Sequence, residues 1–166
     1  MTLMFNKKVE GQSLKHHLLG KIVRRHLTVQ HQMTNKMSST VSISPDIICT
    51  LSSDEVFVFG SNIHGMHMGG AARVALERFG AVWGVGEGLQ GQSYALPTME
   101  GIDDLAKAVD RFIIFARQHP ELRFLVTAVG CGIAGYTPEQ VSPFFKPAID
   151  LQNVYLPQSF WEIILA

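Results

Sequence analysis

Glycine placement constrains this chain more than any other feature. Thirteen of its fifteen glycines fall between Gly60 and Gly135. Ten of these form three clusters: Gly65, Gly69 and Gly70; Gly84, Gly86, Gly88 and Gly91; and Gly130, Gly132 and Gly135. The first and third each follow a segment that reads as a short buried strand, residues 56–59 and 123–129, and each precedes a helical pattern. In open α/β sheets such strand-to-helix turns hold ligands. Main-chain N–H groups can approach an anion closely there, and the helix dipole favours it. Tight turns and close packing are the other reading of the same glycines.

The remaining pattern supports an α/β chain. Residues 69–79 predict a helix with Ala72, Ala75, Leu76 and Phe79 on one face, stopped by Gly80. Residues 93–96 predict a strand ended by Pro97. Residues 102–117 predict a strong helix, striped by Ile102, Leu105, Ala106, Val109, Phe112, Ile113 and Ala116. Thr137-Pro138-Glu139-Gln140 is a capping box with proline at the first helical position, opening a helix of about 10 residues. Residues 153–156 predict the last strand. Strands alternating with helices imply a sheet covered on both faces.

The 166 residues suit one core. The longest uncharged apolar run, residues 124–138, is broken by glycines and falls short of the roughly 20 residues a membrane helix needs. Cys49 and Cys131 make neither a metal pattern nor a disulfide framework, so a reducing cytoplasm is the expected setting.

Charge divides the chain. Residues 1–44 carry seven basic residues against Glu10 alone, a net +6, whereas residues 45–166 carry seven against thirteen acids, a net −6. The expected organisation is a basic N-terminal extension, 1–44, and a mildly acidic ligand-binding domain, 45–166. Leu14, Leu18, Leu19, Ile22 and Val23 recur at helical spacing behind a candidate cap, Ser13, with basic residues between them. Such a helix suits nucleic acid, a membrane surface or an organelle transit peptide. It equally suits an accessory extension, or translation starting at Met33 or Met37. No uninterrupted apolar stretch follows the first charges, so no secretory signal is expected.

Two G-x-G-x-x-G strings occur. Gly86–Gly91 runs into a strand, which is the wrong context for a dinucleotide fingerprint. Gly130–Gly135 has the right context but lacks the ribose-binding acid about 20 residues on. There is no G-x-x-x-x-G-K-[ST] string, and between Phe59 and Met99 the only Lys or Arg residues are Arg73 and Arg78. A phosphate bound here would be held by amides, not by a lysine clamp.

The run Val56-Phe57-Val58-Phe59-Gly60-Ser61-Asn62, then His64-Gly65 and Gly69-Gly70-Ala71-Ala72, resembles the macrodomain family. Gly130-Cys131-Gly132-Ile133-Ala134-Gly135-Tyr136 resembles that family's second, diphosphate-holding loop. Residues 87–98 and 153–157 are similar to a branch of small phage and bacterial macrodomain-like proteins. The resemblance spans about residues 45–163. It implies a three-layer α/β/α fold with a mixed, largely parallel sheet that binds ADP-ribose, a related nucleotide or an ADP-ribosylated macromolecule. Asn62 would lie by the distal ribose, beside Gly60 and Ser61. Gly69, Gly70 and Ala71 would face the diphosphate from one side, and Gly130, Gly132, Ile133, Ala134, Gly135 and Tyr136 from the other. Asp46 is the counterpart of the acid that binds the adenine amine in many members. Met66 and Met68 depart from the family's first loop. Ala134 stands where some ADP-ribose-removing members carry an acid, which removes a covalent Lys/Asp route.

His64 and His67 flank the first glycine loop, and either could serve as a general base; a His bonded to the loop backbone is the alternative. If the chain is an enzyme, the expected reaction is hydrolysis of an ADP-ribose derivative, with water placed by Asn62, a loop His and the substrate's own phosphate. The alternative is a non-catalytic protein that senses or sequesters a nucleotide. No cofactor is expected. No metal is expected either, because the i, i+3 spacing of the two histidines supplies no third ligand. Glu87 could orient a water or sit solvated. Cys131 could be a stabilised thiolate or simply structural. Trp83 and Tyr94 could stack on a base or pack, and Phe160 and Trp161 read as core. Removal of residues 1–36 is expected to leave the melting temperature within about 10 °C of the full chain, and a larger fall would show that the extension packs on the core.

Overall fold

Four consecutive buried apolar residues, Val56 to Phe59, place β1 (Glu55–Ser61) in the middle of the sheet, where both faces are covered. The computed structural model describes residues 41–166, and the expected basic helix of the extension lies outside them. The other strands are β2 (Gly88–Gln90), β3 (Ser93–Pro97), β4 (Arg123–Val126) and β5 (Val154–Tyr155). They lie in the order β2-β3-β1-β4-β5. All neighbours are parallel except the β2–β3 hairpin. The fold is therefore α/β with a mixed, mostly parallel sheet.

Alternation along β1 divides the core. Phe57 and Phe59 pack with Ala75, Phe79, Ala81 and Ala95 beneath α1 (Gly70–Arg78). Val56 and Val58 face the opposite layer, built on α2 (Ile102–Gln118). There Leu105, Ala108, Val109, Phe112, Ile113 and Ala116 form the buried stripe. Phe112 makes edge contacts with Phe124 and Tyr94, at ring distances of 5.4 and 5.1 Å. Each fully buried Phe of this kind contributes about 1.5–3 kcal/mol. Tyr94 is part of this core; burial, and behind it the Glu87 carboxylate, pushes its phenol up to about 12.

Several elements differ from the sequence expectation for physical reasons. β2 lies inside the middle glycine cluster, where a three-residue strand carries no period. The helix opened by the Thr137 capping box runs only Pro138–Val141 as α3. It then tightens into a 3-10 helix, Ser142–Ala148, because Pro143 and Pro147 lack the N–H groups an α-helix needs. β4 ends at Val126, after which Thr127 gives both its N–H and its hydroxyl to Val58 O, at 3.0 and 2.9 Å. A short helix, α4 (Gln158–Ile164), closes the chain and buries Phe160 and Trp161.

Residues 42–44, grouped by charge with the extension, extend the sheet edge. Ser44 N–H donates to Leu156 O at 2.8 Å, Leu156 N–H to Ser42 O at 3.0 Å, and the Trp161 indole N–H to Ser42 O at 2.9 Å. At the opposite end of the central strands, Arg123 forks onto Asp54 at 2.7 and 3.0 Å and holds that carboxyl below its usual range. No helix among the described residues is long and apolar enough to cross a membrane.

Asn153 links β5 to α2. Its buried amide donates to Ala116 O and His119 O, at 2.9 and 3.0 Å, and so closes the helix C-terminus. Asn153→Ala leaves both carbonyls without this donor and is expected to destabilise the fold by about 1–3 kcal/mol in urea denaturation. An unchanged midpoint would show that water replaces the amide freely.

Candidate functional site

The chain leaves β1 toward α1 on one face and leaves β4 toward α3 on the other. Adjacent parallel strands whose connections part in this way open a crevice at their carboxyl ends. A cleft of about 350 Å³ lies there. Its walls are residues 60–62, Met66 and residues 68–72 from the first loop and the start of α1, Thr98 and Met99 after β3, and Thr127, Ala128, Gly130 and residues 132–134 after β4. The two glycine loops approach across it: a Cβ at Gly69 would lie 3.8 Å from Ile133 Cδ1.

The first loop is organised by its own polar groups. Asn62 Oδ1 accepts from the N–H groups of His64 and Met66, at 3.1 and 3.2 Å, and Asn62 Nδ2 donates to Met66 O at 3.1 Å. Both carbonyl lone pairs of the side chain are then occupied, and one N–H remains. Glu100, following β3, ties the loop down by accepting from Ile63 N–H at 2.8 Å and Met99 N–H at 3.1 Å.

α1 begins at Gly69, which has extended backbone (φ −156°) and provides no side-chain cap; the first turn carries no acid. The N–H groups of Gly70, Ala71 and Ala72 find no acceptor among the described residues, and neither do those of Gly132, Ile133 and Ala134. Among the described residues, no Asp, Glu, His, Lys, Arg or Cys lines the cleft. The mouth instead carries exposed Met66, Met68, Met99 and Ile133.

Of the residues singled out in the sequence, Gly60, Ser61, Asn62, Gly69, Gly70, Ala71, Gly130, Gly132, Ile133 and Ala134 meet around this cleft. Others do not line it. Asp46 is exposed, in the segment between the sheet edge and β1. His64 lies within the first loop but is exposed and does not line the cleft. His67 is buried under the loop, edge-on to Phe59 at 5.2 Å, with Nδ1 3.4 Å from Ser61 Oγ and no partner at Nε2. Gly135 serves a turn at φ 78°, its N–H donating to Gly132 O at 3.0 Å. Tyr136 backs the loop from the core side, its ring beside Gly130. Glu87 pairs with Arg111 at 2.7 Å on α2, Trp83 is exposed away from the cleft, and burial pushes the Cys131 thiol up. Among the described residues no group of His, Cys, Asp and Glu could hold a metal ion.

Thr98, Met99, Thr127, Ala128 and the positioning residue Glu100 were not foreseen. The first four directly follow β3 and β4, so the rule that ligands bind at strand carboxyl ends would have found them. Glu100 had no signal, because its partner Ile63 is remote in sequence. Compared with protein-family models, with curated proteins and with solved structures, the chain matches none.

Within the middle cluster, Gly86 and Gly91 are closely packed, whereas a Cβ on Gly84 or Gly88 would meet nothing within 4 Å. A Cβ on Gly86 would overlap the backbone of Asn62 and Ile63, whereas one on Gly132 meets nothing within 4 Å. Gly86→Ala is therefore expected to cost more than about 2 kcal/mol in denaturant unfolding, and Gly132→Ala less than about 0.5 kcal/mol. Equal effects would contradict the interlocking of the two loops.

Proposed function

We propose that the chain is a macrodomain-like protein whose cleft binds ADP-ribose or a related nucleotide through its diphosphate. The observation that carries this reading is the pair of facing loops whose six amides lack acceptors among the described residues, at a crevice without a lining carboxylate. An anion between them would meet an uncapped helix N-terminus on one side and the Gly132–Ala134 amides on the other. Charge-assisted bonds of about 1.5–3 kcal/mol each suffice for micromolar affinity, about −8 kcal/mol. The setting we infer is a reducing cytoplasm.

The same lining favours retention over turnover. Asn62 has no free lone pair to orient a water, and neither His64 nor His67 lines the cleft. A hydrolytic step would have to take its base from the substrate phosphate. The reading best supported is a non-catalytic module that senses or sequesters its ligand.

Gly69→Asp tests the site without harming the fold. The position has extended backbone and room for a Cβ, and an aspartate there caps α1, which adds a few tenths of a kcal/mol. Its negative charge at the helix mouth is expected to weaken ADP-ribose binding at least about tenfold in calorimetry. An unaltered affinity, or no wild-type binding at millimolar ADP-ribose, would overturn the assignment.

A further inference from the structure

We infer that the cleft does not read the base of its ligand, and takes nucleoside diphosphate sugars as a class, purine and pyrimidine alike. The inference rests on the diphosphate reading above and concerns what that reading leaves open.

Distinguishing one base from another requires side-chain donors and acceptors side by side at the base edge. Among the described residues, four polar side chains line the cleft, and their hydrogens are largely committed. Ser61 Oγ donates to Asn62 O at 3.2 Å, Thr98 Oγ1 to Ser61 O at 3.1 Å, and Thr127 Oγ1 to Val58 O at 2.9 Å. Each hydroxyl has a single hydrogen, so these three can only accept. Asn62 retains one N–H. One free donor and scattered hydroxyl lone pairs do not form a two-point reader. The loop amides are assigned to the diphosphate.

What the mouth offers is apolar. Met66, Met68, Met99 and Ile133 are 47%, 73%, 51% and 80% exposed and border the cleft together. Methionine is unbranched, adaptable and favourable against aromatic rings. Every base presents a π-face, so contact of this kind tolerates any of them. Recognition at this rim is of the face, which the bases share, and not of the edge, which distinguishes them.

The experiment is calorimetric titration of the full chain with ADP-glucose, GDP-glucose and UDP-glucose, with ADP-ribose as reference. The three glucose compounds differ only in the base. Their dissociation constants are expected to agree within about fivefold. A preference for one base of about thirtyfold or more, or binding of ADP-ribose alone, overturns base indifference and leaves the diphosphate reading standing. Binding of none of the four overturns both. In the double variant Met66→Ser/Met68→Ser, both side chains are exposed, so the fold is expected to persist. Affinity should fall about tenfold for all three glucose compounds in parallel. No fall, or a fall confined to one base, overturns the inference.

Discussion

The parallel pairing of β1 with β4 is the contact on which every feature of the cleft depends. Val56 to Val58 align with Phe124 to Val126, and β1 runs on to Ser61 beyond the end of β4. Their connections then leave for opposite faces, α1 over Phe57 and Phe59, and α3 over the layer that holds Val141. Among the described residues, the space between the departing chains is a cleft of about 350 Å³. The apolar run of β1 therefore determines the ligand-sized crevice as well as the core: a strand polar on one face could not have carried a helix on each side.

Within that crevice the side chains shape the backbone and leave the chemistry to it. Asn62 folds the first loop upon itself, and Glu100 ties it to the end of β3. Gly65 and Gly86 let the first loop and the approach to β2 touch backbone to backbone, where a Cβ on either would overlap its neighbour. These groups are engaged in shaping the loop, and among the described residues the lining contains no Asp, Glu, His, Lys, Arg or Cys. What is left for a ligand is main-chain N–H and methionine. On the proposed reading, that combination holds a phosphate-bearing aromatic molecule.

Much of this was legible in the sequence wherever a signal was local. β1 and α2 were clear, one from its unbroken apolar run and the other from a stripe over seventeen residues. The first and third glycine clusters pointed to the cleft because each lies between a strand and a helix. Features that depend on remote partners were not legible. The middle cluster carried no signal of β2, which lies inside it, nor of the loop more than twenty residues upstream that Gly86 meets. His67 and Tyr136 were plausible ligand contacts by position; the direction in which each loop residue turns decided otherwise, and both face protein. The helix after Thr137 failed at its prolines, a local signal that the capping box outweighed in the reading.

Two departures from the most stable local choice coincide at the cleft. Gly69 sits at a helix start where Ser or Asp would satisfy an orphan amide, and its extended backbone would accept either. Ile133, in the facing loop, is left four-fifths exposed beside Met68. Either alone is ordinary, since single apolar residues are common on surfaces and glycine is an acceptable cap. They face each other across a gap in which a Cβ on Gly69 would lie 3.8 Å from Ile133 Cδ1, at the crevice beyond β1 and β4. Local rules tend to be broken at functional sites, because binding needs donors left unpaired and apolar surface left uncovered until the ligand arrives. A capped α1 and a polar residue at position 133 would give a more stable protein with less to offer a ligand.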